Sequence, residues 1–204
     1  MTWHNDQVSA KETEKIISIA RECLAIEGDF VELGCYKGDT SLLIAEVLRD
    51  FGSNPVENLV EKSAKKLWIY DSFEGLPEKG KEDESEIGRD FRKGELMVGK
   101  KEVKARFLRA GLPVPIIKKA WFSELAGEDL PEKIAFAFLD GDLYGSIRDS
   151  LRLIEDRMNV GGAIMVHDYT NEALPGVAKA VDEWMASKDY KLMRYESLAV
   201  IVIK

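Results

Sequence analysis

Cysteine is scarce in this chain: Cys23 and Cys35 are the only two in 204 residues. Two are too few for a disulfide framework, and neither belongs to a CxxC pair of the kind that zinc and redox sites use. A reducing compartment suits such a chain, and a cytoplasmic location is expected. Long apolar runs are missing as well. No segment approaches the roughly 18 apolar residues of a membrane span, and the opening "MTWHNDQVSAKETEK" has no apolar core of signal-peptide length. Basic charge is in deficit, with 29 Lys and Arg against 37 Asp and Glu and a net charge of -8. That balance argues against nucleic acid or an anionic membrane as a partner. Histidine occurs twice, at His4 near the start and at His167.

What is present reads as one α/β domain over residues 1–204, with 45% hydrophobic and 32% charged residues. Ser9 and Glu12 have the spacing of a capping box, and Ile16, Ile17, Ala20, Cys23 and Leu24 follow helical spacing behind them. The segment 1–28 is therefore expected to carry an N-terminal helix. "DFVELG" and "KLWIYD" read as strands on either side of a helix over 39–51. The charged stretch 78–93 reads as an exposed loop or lid, followed by a helix over 94–110. "VPIIKK" is the next strand, and "IAFAFLD" is apolar on both faces, as a central parallel strand covered by helices must be. A helix over 144–158, the strand "GGAIMVHDY" and a helix over 175–187 follow; "YKLMRY" and "LAVIVI" then form a hairpin around "ESL". Strands alternating with helices predict a doubly wound three-layer α/β/α fold.

In such folds ligands sit beyond the carboxyl ends of the strands. Gly34 and Gly38 in "ELGCYKGDT" let the backbone turn tightly and approach a ligand, or make a tight turn with none. The GxGxxG spacing of a dinucleotide site is absent. Asp71 ends its strand where a carboxylate can accept hydrogen bonds from both hydroxyls of a ribose, or cap the next turn. Asp140 and Asp142 in "FLDGDLYGS" either cap the helix that follows or hold a metal and move a proton. His167 and Asp168 either hold the loop "YTNEALPG" or complete that acidic group.

Taken in order, "FVELGCYKGDTS", "YDSFEGLPE", "AFLDGDLYGS", "GGAIMVHDY" and "PGVAKAVDEW" resemble the macrocin O-methyltransferase (TylF-type) family, over about Asp29 to Trp184. The resemblance implies a Rossmann-like class I methyltransferase fold with a seven-stranded sheet, and S-adenosylmethionine as cofactor. By the same likeness Glu32, Gly34 and Gly38 line the methionine end of that cofactor, Asp71 binds the ribose, and Ser72 and Phe73 flank the adenosine. Trp121, Phe122 and Ser123 border the adenine. Asp140, also beside the cofactor, and Asp168 hold magnesium, with Asp142 as general base. Where the family usually has a second aspartate this chain has His167, and imidazole suits manganese, iron, nickel, cobalt or zinc better than magnesium. His167 is then a third metal ligand, or itself the base, since its ordinary pKa of about 6.5 fits that work.

These readings add up to a divalent-metal-assisted O-methyltransferase acting on a hydroxyl of a small molecule, such as a sugar of a secondary metabolite or glycan. The alternatives are a metal-independent enzyme with His167 as base, an NAD-type oxidoreductase, or a non-enzymatic binding protein. Self-association stays open.

Overall fold

The computed structural model describes residues 7–52, 65–88 and 91–204. His4 and most of the loop "GSNPVEN" lie outside them. Helix α1 (Ala10–Glu22) opens on the expected capping box: Ser9 Oγ accepts from the Glu12 amide at 3.3 Å, and Glu12 Oε2 accepts from the Ser9 amide at 2.9 Å. Two orphan donors are thereby satisfied, an arrangement that contributes about 1 kcal/mol.

The remaining elements alternate: β1 (Asp29–Leu33), α2 (Asp39–Gly52), β2 (Leu67–Asp71), α3 (Lys100–Ala110), β3 (Ile116–Lys119), β4 (Ile134–Leu139), α4 (Tyr144–Ile154), β5 (Met158–Val166), α5 (Pro175–Met185), β6 (Lys191–Tyr195) and β7 (Leu198–Val202). They build the expected seven-stranded sheet in the order β3-β2-β1-β4-β5-β7-β6. Strands β1 to β5 pair in parallel, β7 runs antiparallel to β5, and β6 pairs antiparallel with β7 to close the hairpin. Strand β4 is fourth of the seven, and all six of its residues are buried.

Strand alternation divides the core. Phe30, Ile69, Phe136 and Phe138 pack with Ile16 of α1, Leu42 of α2 and Phe107 of α3 on one face. Val31, Leu33, Leu139 and Val166 pack with Ile147 and Leu151 of α4 and Val177 of α5 on the other. Both faces of the central strands are covered, which is why those strands read as unbroken apolar runs.

Two boundaries differ from expectation. The helix expected from residue 94 begins at Lys100. Gly94 and Leu96 have φ of +84 and +59, and the Gly94 amide and the Glu95 carbonyl are bonded to Leu76, so the chain there follows the loop after β2. The helix expected to reach Met158 ends at Ile154, because Met158 already pairs with Ile134. Among the described residues no helix is long and apolar enough to cross a membrane.

Candidate functional site

The strand order turns back between β1 and β4, so the crevice of the fold opens at their carboxyl ends. The sheet ladder runs one residue past the strands there. Gly34 N–H donates to the Tyr70 carbonyl, Asp140 N–H to Leu33, His167 N–H to Leu139 and Ala120 N–H to Asp71, all at 2.9 to 3.0 Å. These bonds set Gly34, Asp71, Asp140 and His167 in a row across four strands.

Above that row lies a cavity of about 690 Å³, within the range of sites for small ligands. Glu32, Gly34, Asp71, Ser72, Trp121, Phe122 and Ser123 are on its wall, together with Asp140, Asp142, His167 and Asp168. Two expected cofactor contacts are not. Gly38 is buried in the turn at φ +81, and the Phe73 side chain packs in the core with Ile69 and Phe107.

Gly34 is where the loop after β1 needs a glycine. Its φ is +90, and a Cβ there would stand 2.0 Å from the Asp140 carbonyl oxygen. Beside it, Asp71 fastens two loops: Oδ2 accepts from the Cys35 and Tyr36 amides at 2.8 and 3.3 Å, and Oδ1 from the Phe73 amide at 2.7 Å. Oδ2 is thereby saturated, but Oδ1 keeps a lone pair for a further donor, so one ribose hydroxyl is still accommodated. Ser72 turns its hydroxyl inward, donating to the Gly75 carbonyl at 3.0 Å.

Glu32 is 1% exposed and accepts a hydrogen bond from Ser41 Oγ. Burial lifts its pKa to about 8 against the opposing effect of Ser41, with Asp140 and Asp71 adding to the rise. Arg106 of α3 reaches across to pair with Asp39 and to donate to the Lys37 carbonyl at 2.7 Å, bracing the turn that enters α2.

The acidic group converges as expected. His167 Nδ1 lies 3.0 Å from Asp140 Oδ1 and 3.1 Å from Asp168 Oδ2, and one ligand atom from each residue falls within 4.8 Å of the others. One nitrogen and two carboxylate oxygens form a donor set that fits a divalent ion of the manganese to zinc series. Burial pulls the imidazole pKa down, but the two carboxylates outweigh it and raise it to about 11. Asp142 is pushed well above the carboxylate range by burial and by the charges of Asp140 and Asp168, while His167 acts in the opposite sense. Asp142 and Asp168 both have φ of +59, and Tyr36 and Phe73 in the two other strand-end loops are also left-handed. Such strain gathers at ligand sites; aspartate tolerates this conformation, whereas tyrosine and phenylalanine rarely adopt it. Neither Arg106 nor Tyr36 carried a signal in the sequence. One lies on a distant helix, and the other is an unremarkable turn residue.

A doubly wound sheet with this strand order, a glycine turn facing a ribose-type carboxylate and an acid group on the adjoining strands define a Rossmann-like protein of the methyltransferase class. The macrocin-O-methyltransferase (TylF) family matches residues 11–194, and the chain belongs to it. It is 33% identical over 154 residues to the 8-demethyl-8-(2,3-dimethoxy-alpha-L-rhamnosyl)-tetracenomycin-C 4'-O-methyltransferase of Streptomyces olivaceus, covering 72% of this chain and 55% of that one. With the demethyldecarbamoylnovobiocin O-methyltransferase of Streptomyces niveus it shares 28% over 169 residues, covering 80% and 60%. The chain thus spans under two thirds of the length of these relatives. Among solved structures, the O-methyltransferase NovP superposes with a TM-score of 0.81 at 24% identity, covering 98% of this chain and 83% of that one. That likeness establishes the fold.

Proposed function

We propose that the protein transfers a methyl group from S-adenosylmethionine to a hydroxyl of a sugar carried by a secondary metabolite, with a divalent metal at Asp140, His167 and Asp168. The observation that carries this reading is the facing of two walls in one cavity: the Gly34 turn braced by Asp71, and the three ligand atoms within 4.8 Å of one another. The relatives named for rhamnosyl-tetracenomycin and demethyldecarbamoylnovobiocin support the acceptor class.

When bound, S-adenosylmethionine supplies an electrophilic methyl group, which the Gly34 turn, Glu32 and Asp71 hold and orient. Asp140, His167 and Asp168 would hold a divalent ion, whose positive charge would polarise the acceptor hydroxyl. Asp142 takes the hydroxyl proton on its carboxylate. For that it must be ionised: burial and the charges of Asp140 and Asp168 hold its pKa up, and a cation bound beside it would lower it. His167 is unsuited to be the base itself: without a metal, Nδ1 stands against two carboxylates with its pKa raised to about 11, and with a metal that nitrogen would be occupied as a ligand. A cytoplasmic location accords with Cys23 and Cys35 both being free thiols.

Calorimetry tests both parts. Wild-type protein is expected to bind S-adenosylhomocysteine, and the Asp71→Ala variant at least tenfold more weakly. Failure of the wild type to bind either S-adenosylmethionine or its product ends the reading. Manganese added to chelator-treated protein is expected to release close to one proton from His167 on binding, and Asp168→Asn to abolish it. Binding without proton release, or unchanged in Asp168→Asn, excludes this ligand set.

A further inference from the structure

Within the charged stretch after β2, one carboxylate departs from the rest. Lys81 and Glu84 are exposed, whereas Asp83 between them is 1% exposed. Its Oδ2 accepts from the Gly80 amide at 3.0 Å, which closes its own short turn. Its Oδ1 accepts from the Tyr144 amide at 2.7 Å, across 61 residues of chain.

Tyr144 is the first residue of α4, and the residue before it, Leu143, offers no side-chain cap. Helix α5 has none either, since Leu174 precedes it and its first residue, Pro175, has no amide to donate. Asp83 also packs against this second helix end. A Cβ at Gly176 would come within 1.9 Å of Asp83 Oδ1, so only glycine leaves room for the carboxylate. A negative charge between two helix N-termini is favourable at both, because each carries unsatisfied amides and partial positive charge. Further contacts seat the same segment: Ser85 Oγ donates to the Glu172 carbonyl at 2.9 Å, and Lys179 pairs with Glu82 at 3.5 Å.

The helix end that Asp83 caps closes the turn Asp140–Tyr144, which includes the candidate base Asp142 at its left-handed φ of +59. The segment that carries Asp83 also walls the cavity, through Gly80, Glu82 and Asp83 itself. We propose that Asp83 is a positioning residue. By capping α4 and packing against the first turn of α5, it holds the 79–88 segment closed over the bound cofactor and fixes the turn that presents Asp142. This inference rests on the proposed transferase reading. It makes residues 79–88 a lid whose latch is one buried carboxylate.

The test is hydrogen exchange on the whole chain, free and saturated with S-adenosylhomocysteine, for wild type, Asp83→Ala and Asp83→Asn. In Asp83→Ala, exchange across 79–88 and at the Tyr144 amide is expected to rise at least tenfold, while β7 stays as protected as in wild type. Affinity for S-adenosylhomocysteine is expected to fall about tenfold. Asparagine keeps an oxygen acceptor for Tyr144 and is expected to restore most of the protection. Gly176→Ala, which displaces the carboxylate without removing it, is expected to reproduce the Asp83→Ala pattern. Unchanged exchange at Tyr144 in Asp83→Ala overturns the proposal, and so does a rise spread evenly through β7, which marks a merely structural role. The exchange pattern of the free protein is readable even if the wild type binds no S-adenosylhomocysteine, so failure of the transferase reading stays distinguishable from failure of the latch.

Discussion

Replacing Arg106 by methionine probes how the turn after β1 is held. The guanidinium pairs with Asp39, whose side chain is 7% exposed, and donates at 2.7 Å to the Lys37 carbonyl; its own side chain is 20% exposed. Removing one partner of a buried ion pair costs about 3–5 kcal/mol. Two features lower that figure here. Asp39 lies in the first turn of α2, where the helix end favours a carboxylate by about 0.3–1 kcal/mol, and it lines the cavity, so water reaches it. Methionine also retains the packing of the aliphatic stem. A loss of about 2–3 kcal/mol is expected, read as a shift in the midpoint of urea unfolding at unchanged slope. The cycle with Asp39→Asn sharpens the test. Once the carboxylate is neutral, deleting Arg106 should cost about 1 kcal/mol, the value of the Lys37 hydrogen bond, leaving a coupling of about 1–2 kcal/mol. Because Lys37 and Asp39 stand on the cavity wall, affinity for S-adenosylhomocysteine should fall in parallel. A single-variant loss below about 0.5 kcal/mol, or strict additivity in the cycle, refutes the reasoning.

Glu32 sets a pH dependence of stability. Its pKa rises from 4.5 to about 8 on folding, so between those values the folded chain binds more protons and its stability falls as pH increases, by at most about 1.4 kcal/mol per pH unit. Glu32→Gln removes this contribution, and the difference in unfolding free energy between wild type and variant should be steady below pH 4.5 and change steadily from there to pH 8. A difference that stays flat across that window contradicts the assignment. For Gly34→Ala, a positive φ costs roughly 1–2 kcal/mol and the clash with the Asp140 carbonyl roughly 1–3 kcal/mol more. Denaturant titration should show a loss of about 2–5 kcal/mol, and a near-neutral variant would mean that the loops after β1 and β4 do not touch.

Much of this protein was legible in its residues because the signals are local. Period-two and period-3.6 patterning, the Ser9 and Glu12 cap and the all-apolar β4 reveal which faces are buried, and that suffices to order strands and helices. The strand ends, and with them Gly34, Asp71, Asp140 and His167, follow from the same pattern. Side-chain meetings between distant segments do not. Asp71 spends its oxygens on the amides of Cys35, Tyr36 and Phe73, and Phe73 turns into the core. His167 holds one nitrogen against two carboxylates, and Tyr36 and Phe73 stand in a left-handed conformation that their residue types do not signal. In the stretch "EKGKEDESEIGRDFRKG" charge alone predicts solvent exposure, yet Asp83 is buried. Composition reports the average environment of a segment, whereas the burial of one carboxylate depends on two helix ends, 61 and 93 residues further along, that only folding brings to it.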